Sequence, residues 1–209
     1  MTSNFRVLMV CTANHCRSPL AELILRQRLT GLDVPGTRWE VTSAGTHALV
    51  GRPMHDHVQQ VLGERGVPTT DFTGRQLTEE IARAADLILV ASREHRSYVV
   101  SLVPAVINRV FTLKQFARLC SAVPERTTTS WDTLGAELIV EARYARSALQ
   151  PIAPELDDLD DPIGLPIEAY RRCADEITEA VSAMLGPVDR PLPRPEPDAR
   201  PEISHHSSN

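Results

Sequence analysis

An α/β fold built around a parallel sheet is predicted for this chain by three features of its 209 residues. Short apolar runs of strand length recur at 6–10, 39–43, 86–91 and 109–111. Helix-length segments separate them at 19–30, 54–65, 78–85, 93–102 and 113–120. The first run breaks into a compact loop that opens the first helix. Alternation of this kind assembles βαβ units, because each crossover returns the chain to lay the next strand parallel to the last.

Taken in order, the first strand is the apolar run Phe5-Arg6-Val7-Leu8-Met9-Val10. The helix behind it opens near Pro19, where a missing backbone N–H costs nothing because the first turn has no intrahelical acceptor for it. Between them lies Cys11-Thr12-Ala13-Asn14-His15-Cys16-Arg17-Ser18. Successive backbone N–H groups in such a loop converge on one spot, the helix N-terminus adds partial positive charge, and Arg17 offers a planar, two-pronged cation. The forces that hold a phosphate dianion there also favour a sulfur anion, so Cys11 is a candidate nucleophile inside a transition-state cradle. Trp39-Glu40-Val41-Thr42-Ser43 and Asp86-Leu87-Ile88-Leu89-Val90-Ala91 form the second and third strands, and 109–111 the fourth. In open α/β sheets ligands bind beyond the strand carboxyl ends, which is where Cys11 falls.

A second Cys-x5-Arg spans Cys120 to Arg126, but it follows a helical stretch rather than a strand. Pro124 removes a loop N–H and Glu125 places negative charge where an anion would sit. Cys120 therefore reads as a half-buried thiol at a helix end.

The run Val10 to Glu22 resembles the N-terminal signature of the low-molecular-weight protein tyrosine phosphatases. The resemblance continues in order through Ser43-Ala44-Gly45-Thr46, Gly51-Arg52-Pro53, Gly74-Arg75-Gln76-Leu77 and Asp161-Pro162. It implies a three-layer fold, a four-stranded parallel sheet with helices on both faces, over residues 1–185. It implies a phosphomonoester hydrolase, foremost a protein tyrosine phosphatase, in which Cys11 forms a cysteinyl-phosphate. The loop Thr12, Ala13, Asn14, His15, Cys16 and Arg17 would bind the phosphate. Ser18 resembles the hydroxyl that assists the sulfur, Asn14 with Ser43 the pair that braces the loop, and Asp161 the general acid, directed by Pro162 and flanked by the like charges Asp157, Asp158 and Asp160. Cys16 resembles a second loop cysteine able to trap oxidised Cys11 as a disulfide, or else fills space as a small apolar group.

Three departures bear on substrate choice. Ile163-Gly164 stands where many members carry Tyr. His15 replaces an aliphatic residue of tyrosine-specific relatives or a Thr of protein-arginine phosphatases, and is expected beside the phosphate's substituent. Ala13 replaces a common loop Gly, asking a Cβ to fit a tight turn. Two alternatives share the loop: an arsenate reductase using an external thiol, and a phosphate-binding regulatory module without turnover. Cys120 and Cys173 lie too far apart in sequence to suit a resolving pair, and a module needing only affinity requires neither a nucleophile nor an acid.

A formal charge of −5, with no basic block, argues against nucleic acid as a partner. No signal peptide or membrane-length apolar run is found, so a cytoplasmic protein acting on a phosphorylated protein or small phosphomonoester, away from membranes, is expected. Four cysteines, two of them in the loop, read as reduced thiols. An insertion at about 121–160, with Thr127 to Ser130 capping a helix over 132–149, is expected to cover or border the site. Residues 186–209, rich in Pro, read as a disordered tail for which a docking partner is conceivable but unsupported. His55-Asp56-His57 reads as a solvated helix start rather than a chelate, since positions i and i+2 do not share a helix face. His205-His206 is a weak metal candidate; no metal and no organic cofactor are expected.

Overall fold

The computed structural model describes residues 4–30, 39–69, 72–122, 131–148 and 152–186. Its sheet has the order β2-β1-β3-β4, all parallel, with β1 at Phe5–Cys11, β2 at Trp39–Gly45, β3 at Leu87–Val90 and β4 at Val110–Thr112. Four strands stand where expected, β1 longer by one residue at each end, β2 by two at its carboxyl end, β3 shorter by one at each end and β4 shifted by one. The added residues matter: β1 extends through Cys11, which registers against Gly45 at the end of β2.

Alternation along β1 feeds two cores. Val7, Met9 and Cys11 face one layer, with helix α1 (Arg17–Thr30), α2 (Asp56–Glu64), α5 (Leu113–Ser121), α6 (Trp131–Ala148) and α7 (Ile167–Leu185). Leu8 and Val10 face the other, with α3 (Glu79–Ala84) and α4 (Arg93–Leu102). A strand sandwiched on both sides has no polar face, which is why β3 is the unbroken apolar run Leu-Ile-Leu-Val. Hydroxyl caps start the helices on that frame: Thr78, Ser92 and Thr112 each accept a backbone N–H three residues on.

The insertion borders the site through its last residues, where the Leu159 carbonyl accepts from Arg17, one of the two placements expected for it. Its helix α6 does not cover the site; Leu134, Leu138, Ala142 and Ala145 recur at helical spacing and are buried in the core layer beside α5, and Gly135 abuts the Phe5 ring so closely that a Cβ would lie 2.5 Å from it. Only its last residues reach the site. The proposed cap at Thr127 to Ser130, the second loop beyond Ala122, and the tail from residue 187 lie outside the described residues. Cys120 is buried at the end of α5, with its sulfur 4.0 Å from the Leu138 carbonyl. Helix α7, not anticipated individually, buries Tyr170, Cys173, Ala174, Ile177, Val181 and Met184 along one face. Among the described residues no helix is long and apolar enough to cross a membrane, and no three His, Cys, Asp or Glu side chains group as metal ligands.

Candidate active site

The loop after β1 is held open by hydrogen bonds from its surroundings. Backbone N–H groups of Thr46, His47 and Leu49 donate to the carbonyls of Cys11, Thr12 and Ala13 (2.9, 2.8 and 3.0 Å), and His55 N–H donates to the His15 carbonyl (3.0 Å). With its carbonyls tied outward, the loop is free to turn its N–H groups the other way. Gly45 makes this approach possible: a Cβ there would lie 2.5 Å from Thr12 O and 2.8 Å from Asn14 N. The tight turn falls on Asn14, at φ 50°, the one non-glycine with positive φ among the described residues. Ala13 therefore carries its Cβ without strain, and the concern raised by its replacing glycine is resolved one residue downstream.

Asn14 is also the hub of a buried network. Its Oδ1 accepts the Arg75 backbone N–H (2.8 Å), which fixes the amide orientation, and its Nδ2 donates to Ser18 Oγ (2.9 Å) and Ser43 Oγ (2.8 Å). Ser43 in turn donates to Glu22 Oε2 (2.5 Å). Ser18 Oγ accepts from Asn14 and lies 3.0 Å from Cys11 Sγ, so its hydrogen is free to donate to the sulfur whenever Cys11 is a thiolate, which can only accept. Burial raises the Glu22 carboxyl above its ordinary range, while Ser43, Arg26 and Arg75 pull it down. Arg75 further clamps the Ser43 carbonyl with two guanidinium N–H bonds (3.1 and 2.9 Å). Glu22 and Arg75 lie in segments that carry the family resemblance, Val10 to Glu22 and Gly74 to Leu77, but neither was singled out there as a site residue.

Arg17, 7% exposed at the start of α1, donates from Nη2 to Asp161 Oδ2 at 2.6 Å and from Nη1 to the Leu159 carbonyl at 3.3 Å. Residues 144 apart in sequence are thus paired. Asp161 Oδ1 also accepts the Ile163 N–H (3.3 Å), so the turn over Pro162 fixes the side chain's direction; Asp160 and Asp161 are both exposed, and it is the contact with Arg17 that sets Asp161 apart. The acidic neighbours do not crowd Asp161 as expected. Asp157 is buried and held by the Arg118 guanidinium at 3.0–3.3 Å, and Asp158 pairs with Arg93.

On the opposite wall, His15 Nδ1 lies 2.9 Å from the Pro53 carbonyl, which can only accept, so the ring donates there. Its edge meets His55 at 5.4 Å. The His55-Asp56-His57 segment is the helix start expected, with His55 capping α2 and Asp56 exposed, but its imidazoles are half-buried: His55 stacks on the buried Tyr170 ring (5.0 Å, 23°) and His57 meets it edge-on (4.9 Å). Burial lowers the His55 pKa, with His15 and His57 adding to it. Cys16 is buried behind the loop, and burial, then the adjacent Cys11, push its thiol up to about 12. Cys173 on α7 is likewise pushed up to about 12 by burial, and all four cysteines are unbridged.

One loop contact had no sequence signal. Thr12 Oγ1 lies 2.9 Å from His95 Nε2, 83 residues away. A single imidazole on a helix's first turn carries nothing that marks it as a partner of a distant loop.

The family model described as "Low molecular weight phosphotyrosine protein phosphatase" matches residues 6–127. The low molecular weight protein-tyrosine-phosphatase Etp of Escherichia coli K12 is 39% identical over 110 residues, 53% of this chain and 70% of that protein. A protein-arginine-phosphatase of Geobacillus stearothermophilus is 28% identical over 180 residues, 86% of this chain and 93% of that protein. The crystal structure of a low molecular weight protein tyrosine phosphatase from T. tengcongensis superposes with a TM-score of 0.64 at 30% identity, covering 88% of this chain and 98% of that one.

Proposed function

The chain belongs to the low molecular weight phosphotyrosine protein phosphatase family of phosphoric monoester hydrolases, and from that premise we propose that it dephosphorylates phosphotyrosine in proteins through a cysteinyl-phosphate on Cys11. The observation that carries the reading is the convergence of Cys11 and Ser18 (3.0 Å) with Arg17 and Asp161 (2.6 Å) around one loop.

Each group has a task set by the reaction. Cys11 attacks phosphorus in line, forming the S–P bond as the P–O bond to the leaving group breaks. The loop N–H groups of Thr12 to Arg17 and the Arg17 guanidinium hold the equatorial oxygens, where charge is spread in a loose transition state. Asp161 gives its proton to the departing oxygen. Water then attacks the phosphocysteine, passing its proton to the Asp161 carboxylate left by the first step as the S–P bond breaks, and the Ser18 hydroxyl, held beside the sulfur by Asn14, stabilises the departing thiolate. Asn14 and Ser43 keep the loop in the shape that makes these contacts simultaneous. Cys16, a buried neutral thiol behind the nucleophile, is available to trap oxidised Cys11 as a disulfide.

The Arg17–Asp161 pair makes the acid testable in two ways. Asp161→Asn is expected to slow substrates with poor leaving groups by roughly a hundredfold or more while sparing good ones, because only the former need the proton. It is also expected to tighten inorganic phosphate binding several-fold, since phosphate no longer competes with a carboxylate for the guanidinium. Equal slowing of all substrates would make Asp161 structural, and transfer of the leaving-group dependence to Asp160→Asn would shift the acid by one residue.

A second reading, phosphoarginine as substrate, is favoured by the His15 wall. The side chain presents a polar ring tied to Pro53, and exposed Ile163 and Gly164 follow the acid where an aromatic would flank a tyrosine ring. His15→Ile is expected to raise the ratio of kcat/KM for phosphotyrosine over phosphoarginine peptides by about 1 kcal/mol, roughly fivefold. An unchanged ratio makes His15 a bystander.

A further inference from the structure

The first turn of α4 touches both sides of the site. Toward the phosphate loop it presents His95, which is 6% exposed. The Ser92 hydroxyl caps the helix by accepting the His95 backbone N–H (3.4 Å) and lies 2.6 Å from His95 Nδ1. A neutral imidazole carries one ring proton, so of its two contacts, with Ser92 Oγ through Nδ1 (2.6 Å) and with Thr12 Oγ1 through Nε2 (2.9 Å), His95 donates one and accepts the other, and both tautomers keep the link to Thr12. Burial, then the positive Arg17, push the His95 pKa down to about 4 against the opposing charges of Glu94, Asp161 and Asp158, so the ring is neutral in ordinary buffers.

Toward the acid-bearing segment the same turn offers backbone groups. The Arg93 N–H donates to Asp158 Oδ1 at 2.8 Å, while its guanidinium reaches that oxygen only at 3.4 Å. One residue on, Leu159 N–H donates to the Ala91 carbonyl at 2.8 Å. Asp158 therefore acts on α4 chiefly as a hydrogen-bond acceptor at a helix start, and only secondarily as a charge. Two residues later the chain reaches Asp161.

We propose that His95 and Asp158 are positioning residues that make the first turn of α4 a bracket: His95 sets the phosphate loop through Thr12, and Asp158 sets the distance of the Asp161 segment from that loop. Proton transfer to a leaving oxygen works only within hydrogen-bond reach, so a segment released by even 1 Å loses acid catalysis while leaving the nucleophile and its cradle intact. Release of Thr12 does the reverse, loosening the oxygen cradle for every substrate alike.

The Asp158 half rests on Asp161 being the acid, and the experiment separates the two. On the full chain, kcat/KM is measured for phenyl phosphate, a poor leaving group, and 4-nitrophenyl phosphate, a good one, together with inhibition by inorganic phosphate. Asp158→Ala is expected to slow phenyl phosphate about tenfold more than 4-nitrophenyl phosphate with phosphate inhibition unchanged, and Asp158→Asn, which keeps the acceptor oxygen, to restore both to within about twofold. The Asp158→Ala effect should vanish in an Asp161→Asn background. His95→Leu is expected to weaken phosphate inhibition about tenfold and slow both substrates equally, an effect retained by neither substrate in a Thr12→Val background and partly rescued by His95→Gln.

If Asp161→Asn alone shows no leaving-group dependence, the acid assignment and the Asp158 half fall together. If it does, and Asp158→Ala slows both substrates equally or adds fully to Asp161→Asn, the bracket is overturned while the acid stands. Full additivity of His95→Leu with Thr12→Val overturns the other half. Circular dichroism at the assay temperature checks folding. Should Asp158→Ala be unfolded, Asp158→Glu, which keeps the charge but displaces the acceptor, carries the same comparison.

Discussion

Cys11→Ser is expected to lower hydrolysis of aryl phosphates by roughly 10⁴-fold or more while inorganic phosphate still binds. The substitution exchanges sulfur for a far less acidic oxygen at the end of β1 but leaves the loop's framework untouched. Thr46 N–H still donates to the residue 11 carbonyl, and Asn14 still bridges Ser18 and Ser43. Phosphate binding, read by calorimetry or by protection against thermal unfolding, separates a missing nucleophile from a collapsed loop. Substantial turnover in this variant would remove Cys11 from the mechanism. Cys120→Ser is the matched control: that sulfur lies at the far end of α5 against Leu138, so activity per folded molecule should be unchanged. Lost activity there would mean the second Cys-x5-Arg had been misjudged.

Arg17→Ala should be as severe and different in kind, losing affinity and rate together. The guanidinium is the one side-chain cation in the loop, it is nearly fully buried, and no other side chain of the loop can replace its paired contacts with phosphate oxygens. Removing one preorganised donor from such a cradle typically costs 10²–10³ in rate, and a charged two-pronged donor stands at or above the upper end. The loss also frees the acid-bearing segment, because Arg17 holds both the Leu159 carbonyl and the Asp161 carboxylate. Arg17→Lys separates these roles. It keeps the charge but not the fork, so phosphate affinity should recover in part while kcat stays low. Full recovery of kcat by lysine would reduce Arg17 to a point charge.

What could be read from the chain alone was local. The four strands and the helices between them follow from runs of apolar residues and their spacing, and the shift of β1 and β2 by a residue or two reflects pairing at their ends, Cys11 against Gly45, which periodicity does not encode. The phosphate loop was legible because strand, small-residue turn, arginine and helix start are contiguous, and their physics is contained in eight residues. Helix α7 was missed as an element although Tyr170, Cys173, Ile177, Val181 and Met184 recur at helical spacing along its buried face, a stripe that is itself legible in the sequence.

Only the tertiary structure decided which distant groups share the loop. The pairing of Arg17 with Asp161, the braces from Glu22 and Arg75, the contact of His95 with Thr12, and the packing of His55 and His57 on Tyr170 join residues far apart in sequence. None leaves a periodic or compositional mark. Of the aspartates from 157 to 161 the Asp-Pro step marked Asp161 in the sequence, but only the fold shows what each one meets: Asp157 meets Arg118, Asp158 the start of α4, and Asp161, exposed like Asp160, meets Arg17. The same holds for α6, whose apolar stripe determined that it would pack but not on what; it was the exposed face of α5 and the Phe5 ring, rather than the mouth of the site, that offered a complementary surface. Amphipathicity is written along the chain, whereas the partner of a buried face or a charge is set by where the folded backbone leaves a surface to meet it.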